Sequence, residues 1–110
     1  MEFQKPSDSE FTVYSKSGCN YCLKVKTLLR DSNQLFNIID CDDYIIEDKT
    51  NFLLFIETLS KREIKQFPII FHKGNIIGGF NETFQYIRNC FSLLKIFNTA
   101  LIFILNNYIY

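Results

Sequence analysis

Tryptophan is absent from this chain, and proline, methionine and histidine are scarce: two, one and one in 110 residues. With only four glycines besides, the sequence has neither the periodic glycine of a fibrous protein nor the Pro/Gly bias of a flexible linker. It reads as a single globular domain. No charge of one sign prevails: twelve Lys+Arg stand against twelve Asp+Glu. No field therefore draws the chain to nucleic acid or to an anionic membrane surface, and neither is expected as a partner. Apolar runs are short as well. The longest in the C-terminal part, Ala100 to Leu105, is flanked by Asn98, Asn106 and Asn107, far below the ~20 residues of a spanning helix. No basic segment followed by an apolar stretch opens the chain, so no secretory signal is expected. Its four cysteines then read as thiols of a reducing, cytoplasmic compartment rather than as a disulfide scaffold.

What is present is organised around Lys16-Ser17-Gly18-Cys19-Asn20-Tyr21-Cys22. The alternating run Glu10 to Ser15 before it predicts a strand, and the run after it predicts a helix to about Asp31. Two cysteines on the first turn of a helix can close and reopen a small disulfide ring, here Cys19–Cys22. Unpaired N–H groups and the positive end of the helix dipole favour a thiolate there. Such placement draws a thiol from about 8.5 toward roughly 3.5–7.5 and makes it nucleophilic at neutral pH. Lys16 adds positive charge on the same rim. Cys19, nearer the helix end, is the expected nucleophile, with Cys22 as its resolving partner. The competing reading is half of a zinc site, which needs a second ligand pair at similar spacing. Only Cys41, Cys90 and His72 remain, scattered along the chain, so no metal is expected.

Periodicity sets the remaining elements. The helix after the cysteine pair carries Cys22, Val25, Leu28 and Leu29 on one face. Gln34 to Cys41 holds Leu35, Phe36, Ile38 and Ile39 in a near-continuous run, which predicts a strand buried on both faces. Asp42 to Thr50 reads as a polar connection. Asn51 to Ser60 reads as a helix with Phe52, Phe55, Ile56 and Leu59 inward. Ile69–His72 and Ile76–Gly79, around Lys73-Gly74-Asn75, predict a hairpin. Asn81 is the expected cap of a helix bearing Phe84, Ile87, Phe91 and Leu94. A last helix is expected over 95–107, with enough outward apolar residues for a dimer contact, although a monomer is the first expectation. Residues 1–9 read as a loose leader in which Phe3 is able to tuck onto the fold, and 10–110 as the domain. Cys41 and Cys90 read as small buried residues and His72 as a strand residue with a satisfied ring. The order β-α-β-α-β-β-α-α describes an α/β fold: a four-stranded mixed sheet with helices on both faces.

Three further motifs each have a plain and a functional reading. Phe67-Pro68 starts a strand, where proline is tolerated for want of an N–H. Were the bond cis, the backbone of Phe67 would face the thiols and pair with an extended thiol substrate. Gly78-Gly79 either ends a strand or, standing before a helix, turns the N–H groups of Asn81 and Glu82 toward a substrate carboxylate. Glu82 equally suits the helix dipole. Lys65 belongs to a solvated basic turn with Lys61 and Arg62, or else holds a second carboxylate.

Lys16-x-x-Cys19-Asn20-Tyr21-Cys22, Lys65-Gln66-Phe67-Pro68 and Gly78-Gly79-Phe80-Asn81-Glu82 together resemble the glutaredoxins in order and spacing, across residues 10 to about 92. The resemblance implies a thioredoxin-like fold, a cis Pro68, and electron transport by glutathione-dependent thiol–disulfide exchange. It implies a glutathione groove as well: Lys16 and Lys65 at the glycyl carboxylate, Phe67 at the cysteinyl backbone, Asn81 and Glu82 at the γ-glutamyl end, with Tyr21, Pro68 and Gly79 beside them. Disulfide-bearing and glutathionylated proteins are the implied partners. Thioredoxins, by contrast, usually carry Trp before the first cysteine. Three departures stand out: Asn20 for the usual Pro, Gln66-Phe67 for Thr-Val, and Glu82 for Asp. Because some relatives lacking that Pro resemble [2Fe–2S] carriers, a glutathione-bridged cluster dimer is one alternative. An interaction module without turnover is the other.

Overall fold

The computed structural model describes residues 1–92. In chain order these form β1 (Phe11–Ser15), α1 (Asn20–Asp31), β2 (Phe36–Asp40), α2 (Asp42–Ser60), β3 (Ile69–His72), β4 (Asn75–Gly78) and α3 (Phe80–Ser92). The strands make one mixed sheet in the order β2-β1-β3-β4, with β1 parallel to β2 and antiparallel to β3. The expected last helix, Leu94 and the dimer contact lie outside the described residues.

β1, an interior strand beside β3, is buried along its whole length. Its side chains alternate between two cores. Phe11 and Val13 join Val25, Leu28 and Leu29 of α1, Ile70 of β3, and Phe84 and Ile87 of α3. Tyr14 turns the other way, to Ile39, Ile69 and Phe71 and to Phe52 and Ile56 of α2. Thus α1 and α3 cover one face and α2 the other. The buried residues of α1 are Cys22, Val25, Leu28 and Leu29, the face its spacing predicts. The β3–β4 hairpin turns through Lys73 (φ 53) and Gly74 (φ 81), a two-residue loop whose left-handed pair matches the twist of the strands.

Several expectations need correction. β2 is not buried on both faces: it is an edge strand, and Leu35 and Ile38 are 74% and 49% exposed. A continuous apolar run does not state which strands take the interior, and β1 and β3 take it. The connection from Asp42 is helical, the first part of α2, joined to the rest across a kink at Asp48 (φ −155, ψ 56). Tyr44 and Ile45 pack inward from that part, whereas the polar run 47–51 resembles a loop. α3 starts at Phe80, so Gly79 and not Asn81 stands at its cap. The Gly79 carbonyl accepts from the Thr83 N–H at 3.0 Å, and the Glu82 carboxylate reaches back to the Gly79 N–H at 3.0 Å. That back-reach from the third helical position is half of a capping box. Cys90 is exposed among the described residues, not buried: the described buried side chains of α3 end at Ile87.

Residues 1–9 make specific contacts. Phe3 packs edge-on against Tyr44 and Phe52 at ring separations of 5.0 and 5.5 Å. The Tyr14 hydroxyl donates to the Gln4 carbonyl at 2.7 Å, and the Gln4 N–H donates to the Tyr44 hydroxyl at 3.1 Å. His72 is the satisfied strand histidine expected, with Nδ1 2.6 Å from the Tyr86 hydroxyl and its ring stacked on Phe11 at 4.0 Å.

Candidate functional site

β1 delivers the chain to the site, the loop Lys16–Gly18 turns it, and Cys19 sits at the N-cap of α1 in an extended conformation (φ −114, ψ 106). Its Sγ accepts a hydrogen bond from the Cys22 N–H at 3.2 Å. The sulfur thus fills the place that a Ser or Asp oxygen takes at other helix starts. Cys22 lies behind it, 1% exposed. Burial, then the hydrogen bond with the Cys19 sulfur, pushes the Cys22 thiol above its ordinary pKa. One sulfur is half-buried and approachable, and the other is withheld and protonated near neutral pH. Cys41 is buried, and desolvation pushes its thiol up to about 12.

The loop is clasped from α2. Asp42 accepts from the Ser17 N–H at 2.9 Å and from the Ser17 hydroxyl, while the Cys41 N–H donates to the Ser15 carbonyl at 2.8 Å. Sequence reasoning missed Asp42: it stands 25 positions from Ser17, in no motif. The bonds from Ser17, with a smaller contribution from Lys16, hold its carboxyl below the usual range. A lowered folded pKa means stability that is present above the unfolded value and lost as pH falls through the folded one. The Asp42→Asn variant is therefore expected to melt earlier than wild type in urea near neutral pH, with the gap closing below about pH 4. A gap independent of pH would remove the carboxylate from the clasp.

Beside the cysteine pair runs an open groove of about 860 Å³. Of the residues expected to bind glutathione, Tyr21, Lys65, Phe67, Pro68, Gly79, Asn81 and Glu82 line it. Lys16 does not; it borders an adjoining hollow with Cys19 and Cys22, and its Nζ lies over the Phe67 ring, 5.6 Å from the centroid. The Phe67–Pro68 bond is cis. Phe67 is stacked parallel to Phe52 at 6.2 Å, and Tyr21 leans on Phe80 at 5.8 Å, so each wall of the groove rests on an aromatic neighbour. Lys65 is exposed and paired with Glu63 at 2.8 Å, which raises its pKa. Arg62 also lines the groove, its guanidinium donating to the Ile77 carbonyl at 3.4 Å. At the far end Gly78 has φ 132, and a Cβ there would stand 2.7 Å from a Glu82 carboxylate oxygen. Only glycine admits the Glu82–Gly79 contact at that point. Among the described residues no cluster of three His, Cys, Asp or Glu side chains is placed to hold a metal ion. No helix among them is long and apolar enough to cross a membrane.

The glutaredoxin family model matches residues 11–77. Mitochondrial glutaredoxin-2 of Pongo abelii is 30% identical over 77 residues, 70% of this chain and 45% of that protein. The human protein of the same name is 29% identical over 77 residues, 70% and 44% of the two chains. The chain thus spans less than half the length of these relatives. Glutaredoxin 1 from Francisella tularensis, solved with cacodylate, matches at a TM-score of 0.65 and 25% identity, over 74% of this chain and 95% of that one. A buckwheat glutaredoxin–glutathione complex shares the fold at a TM-score of 0.62 and 21% identity, over 92% and 80% of the two chains. The mixed four-stranded sheet covered on both faces is the thioredoxin-like fold of these proteins. Carrying the paired cysteines at the head of its first helix on that fold, the chain belongs to the glutaredoxin family.

Proposed function

We propose that this chain is a glutathione-dependent thiol–disulfide oxidoreductase, working as a monomer in a reducing compartment such as the cytoplasm, on protein disulfides and protein–glutathione mixed disulfides. The observation that carries this reading is the unequal pair at the head of α1. Cys19 is approachable at the cap, and Cys22 is buried behind it as a thiol. The groove beside them supports glutathione as the reductant.

Cys19, as thiolate, attacks the glutathione sulfur of a mixed disulfide. The Cys19–glutathione bond forms as the substrate S–S bond breaks, and the protein sulfur leaves as a thiolate that takes a proton from water. A second glutathione, as thiolate, attacks the glutathionyl sulfur on Cys19, yields glutathione disulfide and returns Cys19. With a protein disulfide, Cys19 bonds to one substrate sulfur, then Cys22 gives up its proton and attacks Cys19. That closes the Cys19–Cys22 ring and releases the dithiol product, and two glutathiones reopen the ring.

The glycyl carboxylate of glutathione goes to Lys65 in the groove and to Lys16, which reaches over the Phe67 ring from the adjoining hollow, and the cysteinyl backbone to Phe67 beside Pro68. Its γ-glutamyl end goes to the head of α3, at Gly79, Asn81 and Glu82, where helix N–H groups favour a carboxylate. Tyr21 closes the wall nearest the cysteines. Lys65 must first leave Glu63; exposed pairs are worth only about 0–1 kcal/mol, so the exchange is cheap.

The test is reduction of a glutathione mixed disulfide of a small thiol, coupled to glutathione reductase and NADPH. Turnover that depends on glutathione is expected. Silence with glutathione, but turnover with thioredoxin reductase, would sink the reading.

A further inference from the structure

Adjoining the glutathione groove, and lined by Cys19 and Cys22 where the groove is not, lies a hollow of about 380 Å³ bordered by Lys16, Leu23, Lys26, Ile38 and Asp40. The chemistry above makes no use of Leu23, Lys26 or Ile38. Leu23 is 62% exposed and Ile38 is 49% exposed, and they come from different elements, α1 and the edge strand β2. Scattered single apolar residues on a surface need no explanation. Two that converge from separate elements on a depression holding a reactive sulfur do. Charge is uneven there too. Two lysines face one aspartate, and Asp40 is partly committed, accepting from the Asp42 N–H at 3.0 Å. Beside the hollow, the outer edge of β2 offers backbone groups to an extended chain.

We propose that this hollow docks the polypeptide flanking a substrate disulfide, and that it selects a segment with an apolar and an acidic residue next to the reacting cysteine. The inference rests on Cys19 as nucleophile, from the preceding section. In the direct route Cys19 becomes bonded to the substrate's own cysteine, so the neighbouring substrate residues must lie against whatever surrounds Cys19. In the glutathionyl route the three sulfurs line up, and the departing protein stands beyond the glutathione sulfur, away from the hollow. The hollow therefore serves the first route and is idle in the second.

The test uses pre-reduced protein in single turnover, so that no arm depends on glutathione as reductant. The substrates are a peptide with an internal disulfide flanked by Leu and Asp, the same peptide with Ser and Lys there, and the small glutathione mixed disulfide. The Leu23→Ser/Ile38→Thr variant and the Lys26→Glu variant are each expected to react about tenfold more slowly with the Leu/Asp peptide while staying within about twofold on the mixed disulfide. Lys26→Glu should also narrow the preference for the Leu/Asp over the Ser/Lys peptide. Equal slowing on both substrate classes, or none on the peptide, overturns the proposal. So does a wild-type dimer in sedimentation that the double variant dissolves while peptide reduction is unchanged, since the hollow would then be a self-contact. Wild type that reduces the peptide but not the mixed disulfide would defeat the glutathione reading alone, because the peptide arm still reports on the hollow.

Discussion

Serine in place of Cys19 is expected to abolish turnover of every substrate, whereas serine in place of Cys22 leaves reduction of a glutathione mixed disulfide standing. The two sulfurs occupy unlike environments. Cys19 is the approachable one at the cap of α1, and no other thiol lines the site except Cys22, which is buried. A hydroxyl at position 19 does not ionise near neutral pH, so a loss on the order of a thousandfold or more is expected. At position 22 the contact that serves Cys19 comes from the main chain: the Cys22 N–H donates to Cys19 Sγ. Cys22→Ser keeps that donor and removes only the resolving sulfur. Mixed-disulfide reduction should hold within about threefold, while a protein disulfide should stall as a covalent adduct on Cys19, visible by mass. Equal loss in both variants would contradict this division of labour.

The Phe52→Ala substitution is expected to be the most damaging change far from the sulfurs. Phe52 is fully buried and its ring meets Phe3, Tyr14, Tyr44, Phe55 and Phe67. Truncating a buried phenylalanine costs roughly 3–5 kcal/mol, because the transfer free energy is lost and the cavity fills only in part. Against the 5–15 kcal/mol of a typical domain, that is about a fifth of the total at the least. Each kcal/mol is worth roughly 4–8 °C in a domain of this size. Thermal melts should show a large fall in Tm. Because Phe67 leans on Phe52, the variant should also raise the KM for glutathione at temperatures where it remains folded. A loss below about 1 kcal/mol would mean that the surrounding rings collapse into the gap.

The parts of the fold legible in the sequence were those set by local pattern. Cys22, Val25, Leu28 and Leu29 repeat at helical spacing behind the cysteine pair, and all four are buried. The hairpin was marked by Lys73-Gly74, and the groove residues by three short motifs. What failed was what depends on partners remote in sequence. Nothing in Leu35–Ile39 says that β1 will lie between β2 and β3, so an edge strand resembled a central one. The start of α2 was hidden by the polar run 47–51, although Tyr44 and Ile45 stand at helical distance from Phe52. The cap of α3 did have a signal, the spacing of Gly79 and Glu82, which fits a capping box better than Asn81 does. The Ser17–Asp42 clasp had none, since only the fold brings those two together.

The sheet that separates the two cores has a consequence for the groove laid across its end. One bank, the exposed Tyr21 leaning on Phe80, rests against the core of α1 and α3; the other, Phe67 with Ile64, rests against the core of α2. The gap between the banks behaves as a caliper whose jaws are mounted on separate blocks. A substitution deep in either block changes the opening without touching a bound molecule. Two such substitutions, one in each block, add in their effect on folding because their sites are far apart, but meet in the single width that a ligand senses.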